Sequence, residues 1–92
     1  MKKWYDIERN LKELIGKKFN EQDIHLAFID FEEFKCSDDL IISKVENRTT
    51  NIGNFECKIY NVYVDFGKST IFSIYVTKKH NIIMDIDVDW YH

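Results

Sequence analysis

Asp85, Asp87 and Asp89 stand at every second position of the segment DIDVDWYH, residues 85 to 92, with Ile86 and Val88 between them. Successive side chains of a β-strand point to opposite faces. That spacing would set the three carboxylates in one row about 6 to 7 Å apart and turn Ile86, Val88 and Trp90 the other way. Like charges in a row repel, so the row is expected to face water, a cation or a basic partner. A hard cation such as calcium wants about six to eight oxygen ligands, and its usual loops curve around it. A straight strand cannot wrap an ion alone, so no metal site is expected. A basic protein surface fits the row better, with Tyr75, Ser73 and Tyr91 adding aromatic and hydroxyl contacts of the kind enriched at interfaces.

Other residues that could do chemistry are too poorly spaced to do it. Glu56-Cys57-Lys58 has the Glu-x-Lys spacing found in some metal-dependent nucleases, but such sites need a further acidic residue at a neighbouring strand end and a mixed sheet. His25, His80, His92, Cys36 and Cys57 could ligate zinc, yet no two of them have the close spacing of a structural zinc site. Cys57 alternates with Phe55 and Ile59 and is expected to be a small core residue. No glycine-rich phosphate loop, nucleophile elbow or Ser-His-Asp order appears. Neither a catalytic residue nor a cofactor is therefore expected. Direct nucleic-acid binding is disfavoured as well, because the lysines are scattered along the chain and the dense charge is acidic.

These residues need elements to position them. Trp4, Ile7, Leu11, Leu14 and Ile15 make the apolar stripe of an amphipathic helix of about four turns, with Gly16 placed to stop it. Asn20, followed by Asp23, reads as an N-cap before an acidic first turn, and Ile24, Ala27, Phe28 and Phe31 continue at helical spacing. A second helix is expected over 21 to 34, although the β-formers of IHLAFIDF make a strand the rival. From Leu40 onward β-branched and aromatic runs are cut by turn residues, predicting strands over 40 to 47, 55 to 66, 69 to 78 and 82 to 90. RTTNIGN, 48 to 54, reads as a loop. In the second strand the apolar face switches near Tyr60 and Asn61, which calls for a bulge or for cover on both faces.

The last hairpin can be registered, since a one-residue slip would turn every side chain to the wrong face. A three-residue loop with Asn81 left-handed pairs Val76 with Met84, Ile74 with Ile86 and Phe72 with Val88. The opposite face then pairs Tyr75 with Asp85, Ser73 with Asp87 and Ile71 with Asp89. The expected fold class is α+β: two N-terminal helices packed on one face of a four-stranded antiparallel meander sheet.

Ninety-two residues allow a single domain, 1 to 92, with one modest core. Hydrophobic residues make up 45% of the chain and aromatics 15%, which argues against disorder although 32% is charged. The formal charge of -3 is unevenly spread, with acidity concentrated in residues 21 to 39 and 85 to 92. Cysteine spacing suggests no disulfide framework, the N-terminus turns to charge before any signal-like apolar run, and no stretch approaches a membrane span. A reduced, cytoplasmic protein is expected. Abundant Ile, Lys and Asn with no Pro point to an AT-rich bacterium, phage or mobile element.

The function expected on these grounds is that of a small acidic, non-enzymatic inhibitor of immunity-protein or phage anti-defence type. Its partner would be a larger protein with a basic surface, such as a nuclease or toxin. The alternative is a small-ligand-binding or enzymatic domain with a pocket between helices and sheet. A homodimer through the outer sheet face or an edge strand is a third reading.

Overall fold

Asn20 begins the second helix as its sequence suggests: the Asn20 side-chain oxygen accepts the Gln22 backbone N–H at 2.9 Å, satisfying one of the unpaired donors of the first turn. In the computed structural model, residues 2–31, 40–64 and 70–88 are described. They form two helices, α1 (Trp4–Lys12) and α2 (Glu21–Ala27), followed by β1 (Leu40–Ile52), β2 (Phe55–Val64), β3 (Thr70–Thr77) and β4 (Ile83–Val88). The strands are antiparallel in the order β1-β2-β3-β4, so the architecture is the expected α+β meander.

Both helices are shorter than their apolar spacing implied. At the start of α1 the Asp6 carboxylate accepts the Lys3 N–H at 3.0 Å and pairs with Arg9 at 2.9 Å. The helix then gives way to turns, which end at Gly16 with a positive φ of 94°. Helix α2 stops because Asp30 adopts a left-handed φ of 66°, which lets the Lys2 N–H reach the Asp30 carbonyl at 2.8 Å. Helix, and not strand, is the outcome for residues 21 to 27; residues 32 to 34 lie outside the described residues.

One core joins these elements. Ile7 and Leu11 of α1, Ile24 of α2 and Phe28 just after it bury against Val62, Phe72, Ile74, Val76 and Ile86 on one face of the sheet. Trp4 packs edge-on against Phe31 at 4.4 Å between ring centroids, and Phe28 does so against Phe72 at 5.9 Å. The segment after α1 also seals the start of the edge strand β4. Gly16 N–H donates to the Ile83 carbonyl at 2.8 Å, Ile83 N–H to the Lys17 carbonyl at 2.9 Å, and Phe19 N–H to the Asn81 carbonyl at 2.8 Å.

Two departures from the expected strands matter. Residues 48 to 52 belong to β1 and are not a loop: β1 pairs with β2 up to Ile52 opposite Phe55, across a two-residue turn at Gly53 and Asn54. Gly53 has φ 61° at the first turn position, where such hairpins favour glycine. The irregularity falls earlier, between Lys44 and Thr49, where Asn47 is left-handed with φ 56°.

In the last hairpin Val76 pairs with Ile83 and not with Met84. The turn has four residues, 78 to 81, closed by Asn81 N–H to the Thr77 carbonyl at 3.0 Å and Ile82 N–H to Thr77 Oγ1 at 3.0 Å. A bulge between Tyr75 and Val76 then cancels the extra turn residue. The pairs Tyr75–Asp85, Ile74–Ile86, Ser73–Asp87 and Phe72–Val88 are restored, as expected, and Asn81 carries the left-handed φ, 59°. Ile83 replaces Met84 in the core; Met84 is half-buried. The Ile71–Asp89 pair falls outside the described residues, as do residues 65 to 69.

Candidate functional site

The sheet face turned away from the helices collects side chains from three strands. Alternation from the core positions Phe72, Ile74 and Ile86 puts Ser73 and Tyr75 of β3 and Asp85 and Asp87 of β4 on this face, beside Asn61 and Ile59 of β2. Tyr75 lies opposite Asp85, yet its hydroxyl donates to Oδ2 of Asp87, the diagonal neighbour, at 2.8 Å. Such a diagonal contact is within reach of an aromatic side chain across an antiparallel pair. The carboxylate of Asp85 turns back instead: its Oδ1 accepts the Ile86 N–H at 2.8 Å. Ser73, although opposite Asp87, donates to Oδ1 of Asn61 at 3.2 Å on the other side.

Of the six residues singled out from sequence, Ser73, Tyr75, Asp85 and Asp87 share this face; Asp89 and Tyr91 lie outside the described residues. The charges act on the phenol. Partial burial pushes the Tyr75 pKa up, and the hydrogen bond to Asp87 and the charges of Asp87 and Asp85 push it further. Arg48, from the β1 irregularity, pulls the other way. Arg48 and Asn61 are the members that sequence spacing missed. Arg48 was masked by the polar run around it, and Asn61 by a switch of apolar face that looked local to β2.

That switch is resolved by cover on both faces. Tyr60 and Val62 face the helices, whereas Cys57 and Ile59 are buried on the outer face, together with Thr77. A bulge also occurs, one step further on between Val62 and Tyr63. Cys57 is buried as expected, but it lies outside the main core, and desolvation raises its thiol pKa, partly offset by a hydrogen bond from the Ile52 backbone. Cys57 and Ile59 thus offer no open apolar surface; Tyr75 stands beside Ile59, bordered by Asp85 and Asp87. Exposed apolar surface is found further along, at Ile41 of β1, which lies opposite Tyr63 and is 45% exposed.

The other candidate groups are dispersed or engaged. Glu56 is ion-paired with Lys78 at 3.5 Å and accepts Thr49 Oγ1 at 3.4 Å, while the Lys58 ammonium sits 5.8 Å above the Tyr60 ring. Among the described residues no three His, Cys, Asp or Glu side chains converge, and no helix is long and apolar enough to cross a membrane. No family model, curated protein or solved structure matches the chain.

Proposed function

We propose that this chain is a non-enzymatic protein-binding inhibitor, of immunity-protein or phage anti-defence type. Its outer sheet face would dock on the basic surface of a larger protein such as a nuclease or toxin. The observation that carries this is the Tyr75–Asp87 pair, at 2.8 Å, beside Asp85. A half-buried aromatic anchor edged by carboxylates on paired strands has the anatomy of an interface hot spot with a polar rim. Ordered before docking, Tyr75 and Asp87 would lose little further freedom on binding. The carboxylates would steer a basic partner and set its orientation.

The space between helices and sheet favours this reading over a ligand pocket. Among the described residues it is filled by Ile7, Leu11, Ile24, Phe28, Phe72 and Ile74, all with essentially no exposure. The test is kinetic. Asp85, Asp87 and Asp89 changed together to Asn should slow association with the captured target and weaken its salt dependence, because rim charges act mainly on the on-rate. Tyr75→Ala should speed dissociation by about 5- to 150-fold, the range of an interface hot spot. If the triple Asn variant stays folded and still binds and inhibits like the parent, the outer face is not the docking surface.

A further inference from the structure

Lysines that are scattered in the sequence converge in the sheet. Lys44 lies opposite Tyr60 on β1, Lys58 lies opposite both Thr49 and Val76, and Lys78 N–H donates to the Glu56 carbonyl at 3.0 Å. This pairing brings the three together at the β1 irregularity between Lys44 and Thr49, where they line one hollow of about 270 Å³, bordered also by Arg48 and Thr49. Glu46 is the acidic residue at its wall. Among the described residues neither Lys44 nor Lys58 has a carboxylate partner. The Lys78–Glu56 pair is half-exposed at 3.5 Å, a weak contact that a stronger anion can displace.

A second hollow, of about 370 Å³, shares Lys78 with the first and is walled by Phe55, Lys79 and His80. Phe55 is 49% exposed, which leaves part of its ring open to a stacking partner. Cations that track a backbone and an aromatic platform for a base are the two parts of a single-strand site. A duplex keeps its base faces stacked away, so only unpaired bases could use Phe55.

We propose that the stretch from the β1 irregularity to the β1–β2 turn binds single-stranded nucleic acid, with backbone phosphates in the hollow of Lys44, Lys58 and Lys78 and a base stacked on Phe55. Lys44 and Lys58 share the sheet face of Tyr60 and Val76, opposite that of Tyr75, Asp85 and Asp87; Arg48 borders both sites, and the proposal does not depend on the role of the acidic face. Each lysine neutralises one phosphate, and the slope for single strands is about 0.7 per contact. Three contacts therefore weaken binding by about 20-fold between about 50 and 200 mM salt.

The experiment is fluorescence anisotropy with a labelled oligothymidylate of about 12 nucleotides, within the usual site size. Heparin serves as a polyanion without bases. The parent should bind the oligonucleotide with that salt dependence. Lys44→Gln/Lys58→Gln/Lys78→Gln should flatten the dependence, and Phe55→Ala should weaken binding by about 5- to 150-fold at unchanged salt slope. Amide shifts of the parent on titration, centred on residues 44 to 49, 55 to 58 and 77 to 80, locate the site even if the triple variant does not fold. No binding by the parent, shifts centred elsewhere, or an unaffected Phe55→Ala variant with heparin bound equally well would each overturn the proposal.

Discussion

Ile83 and Met84 are adjacent, and only one can fill the core position opposite Val76. The fold gives it to Ile83, at 1% exposure, and leaves Met84 half-buried beside the bulge. Ile83→Ala removes three carbons from a closed site; at about 0.8 kcal/mol per methylene the transfer loss alone is about 2.4 kcal/mol. The cavity left behind raises the total to about 3 to 5 kcal/mol, since buried Ile→Ala changes span about 2 to 5. Met84→Ala starts from a side chain that already touches water, and should cost about 1 kcal/mol. Ile86→Ala, at a position buried in any register, is the control and should match Ile83→Ala. Urea unfolding followed by circular dichroism reads the difference. With a slope of about 1 to 3 kcal/mol per molar, Ile83→Ala should lower the midpoint by at least about 1 M, about three to five times the shift of Met84→Ala. A larger loss for Met84→Ala than for Ile83→Ala would refute the four-residue turn with its compensating bulge, and would restore the simple three-residue loop.

The remaining predictions concern the two perturbed side chains. The Tyr75 phenol has its pKa raised in the folded state, so its contribution is complete below the ordinary tyrosine value of about 10 and is lost as pH rises through the higher folded value. Stability should therefore fall more steeply above about pH 10 in the parent than in Tyr75→Phe, and equal slopes would show that the Asp87 contact is not maintained in solution. Cys57, fully buried with a raised thiol pKa, should resist a thiol reagent in a Cys36→Ser background until the sheet opens. Modification at the rate of a free thiol under native conditions would contradict its placement beneath the outer face.

What the sequence revealed were the features governed by local chemistry or strict alternation. Asn20 as a cap and Asn81 as a left-handed turn residue are single-residue signals. The pairs Phe72–Val88 and Ile74–Ile86 follow because only one face of β3 and β4 could be apolar. What stayed hidden depended on distant partners. The run RTTNI looks like a loop because β1 is an edge strand that extends past the cover of the helices, so its side chains remain polar although Thr49 to Ile52 pair with β2. The Gly53-Asn54 dipeptide was a legible hairpin signal there. Helix α2 ends early because Asp30 leaves helical φ where its carbonyl receives Lys2, a contact no local pattern announces. At the candidate site the alternation of Asp85 and Asp87 was readable. The choice of Asp87 over Asp85 by Tyr75, and the approach of Arg48, required the sheet to be assembled.

The strap formed by residues 16 to 19 along β4 also sets a timetable for biosynthesis. Gly16 and Lys17 leave the ribosome long before Ile83, the residue whose backbone they grip. At about 5 to 20 residues per second the interval is several seconds. Throughout it the apolar faces of α1 and α2 have no sheet on which to close, since Phe72, Ile74 and Ile86 are also still to come. Local hairpins can form as they emerge, but the helices must dock last, across most of the chain. Such long-range closure slows folding and leaves Ile7, Leu11 and Phe28 exposed to other chains in the meantime.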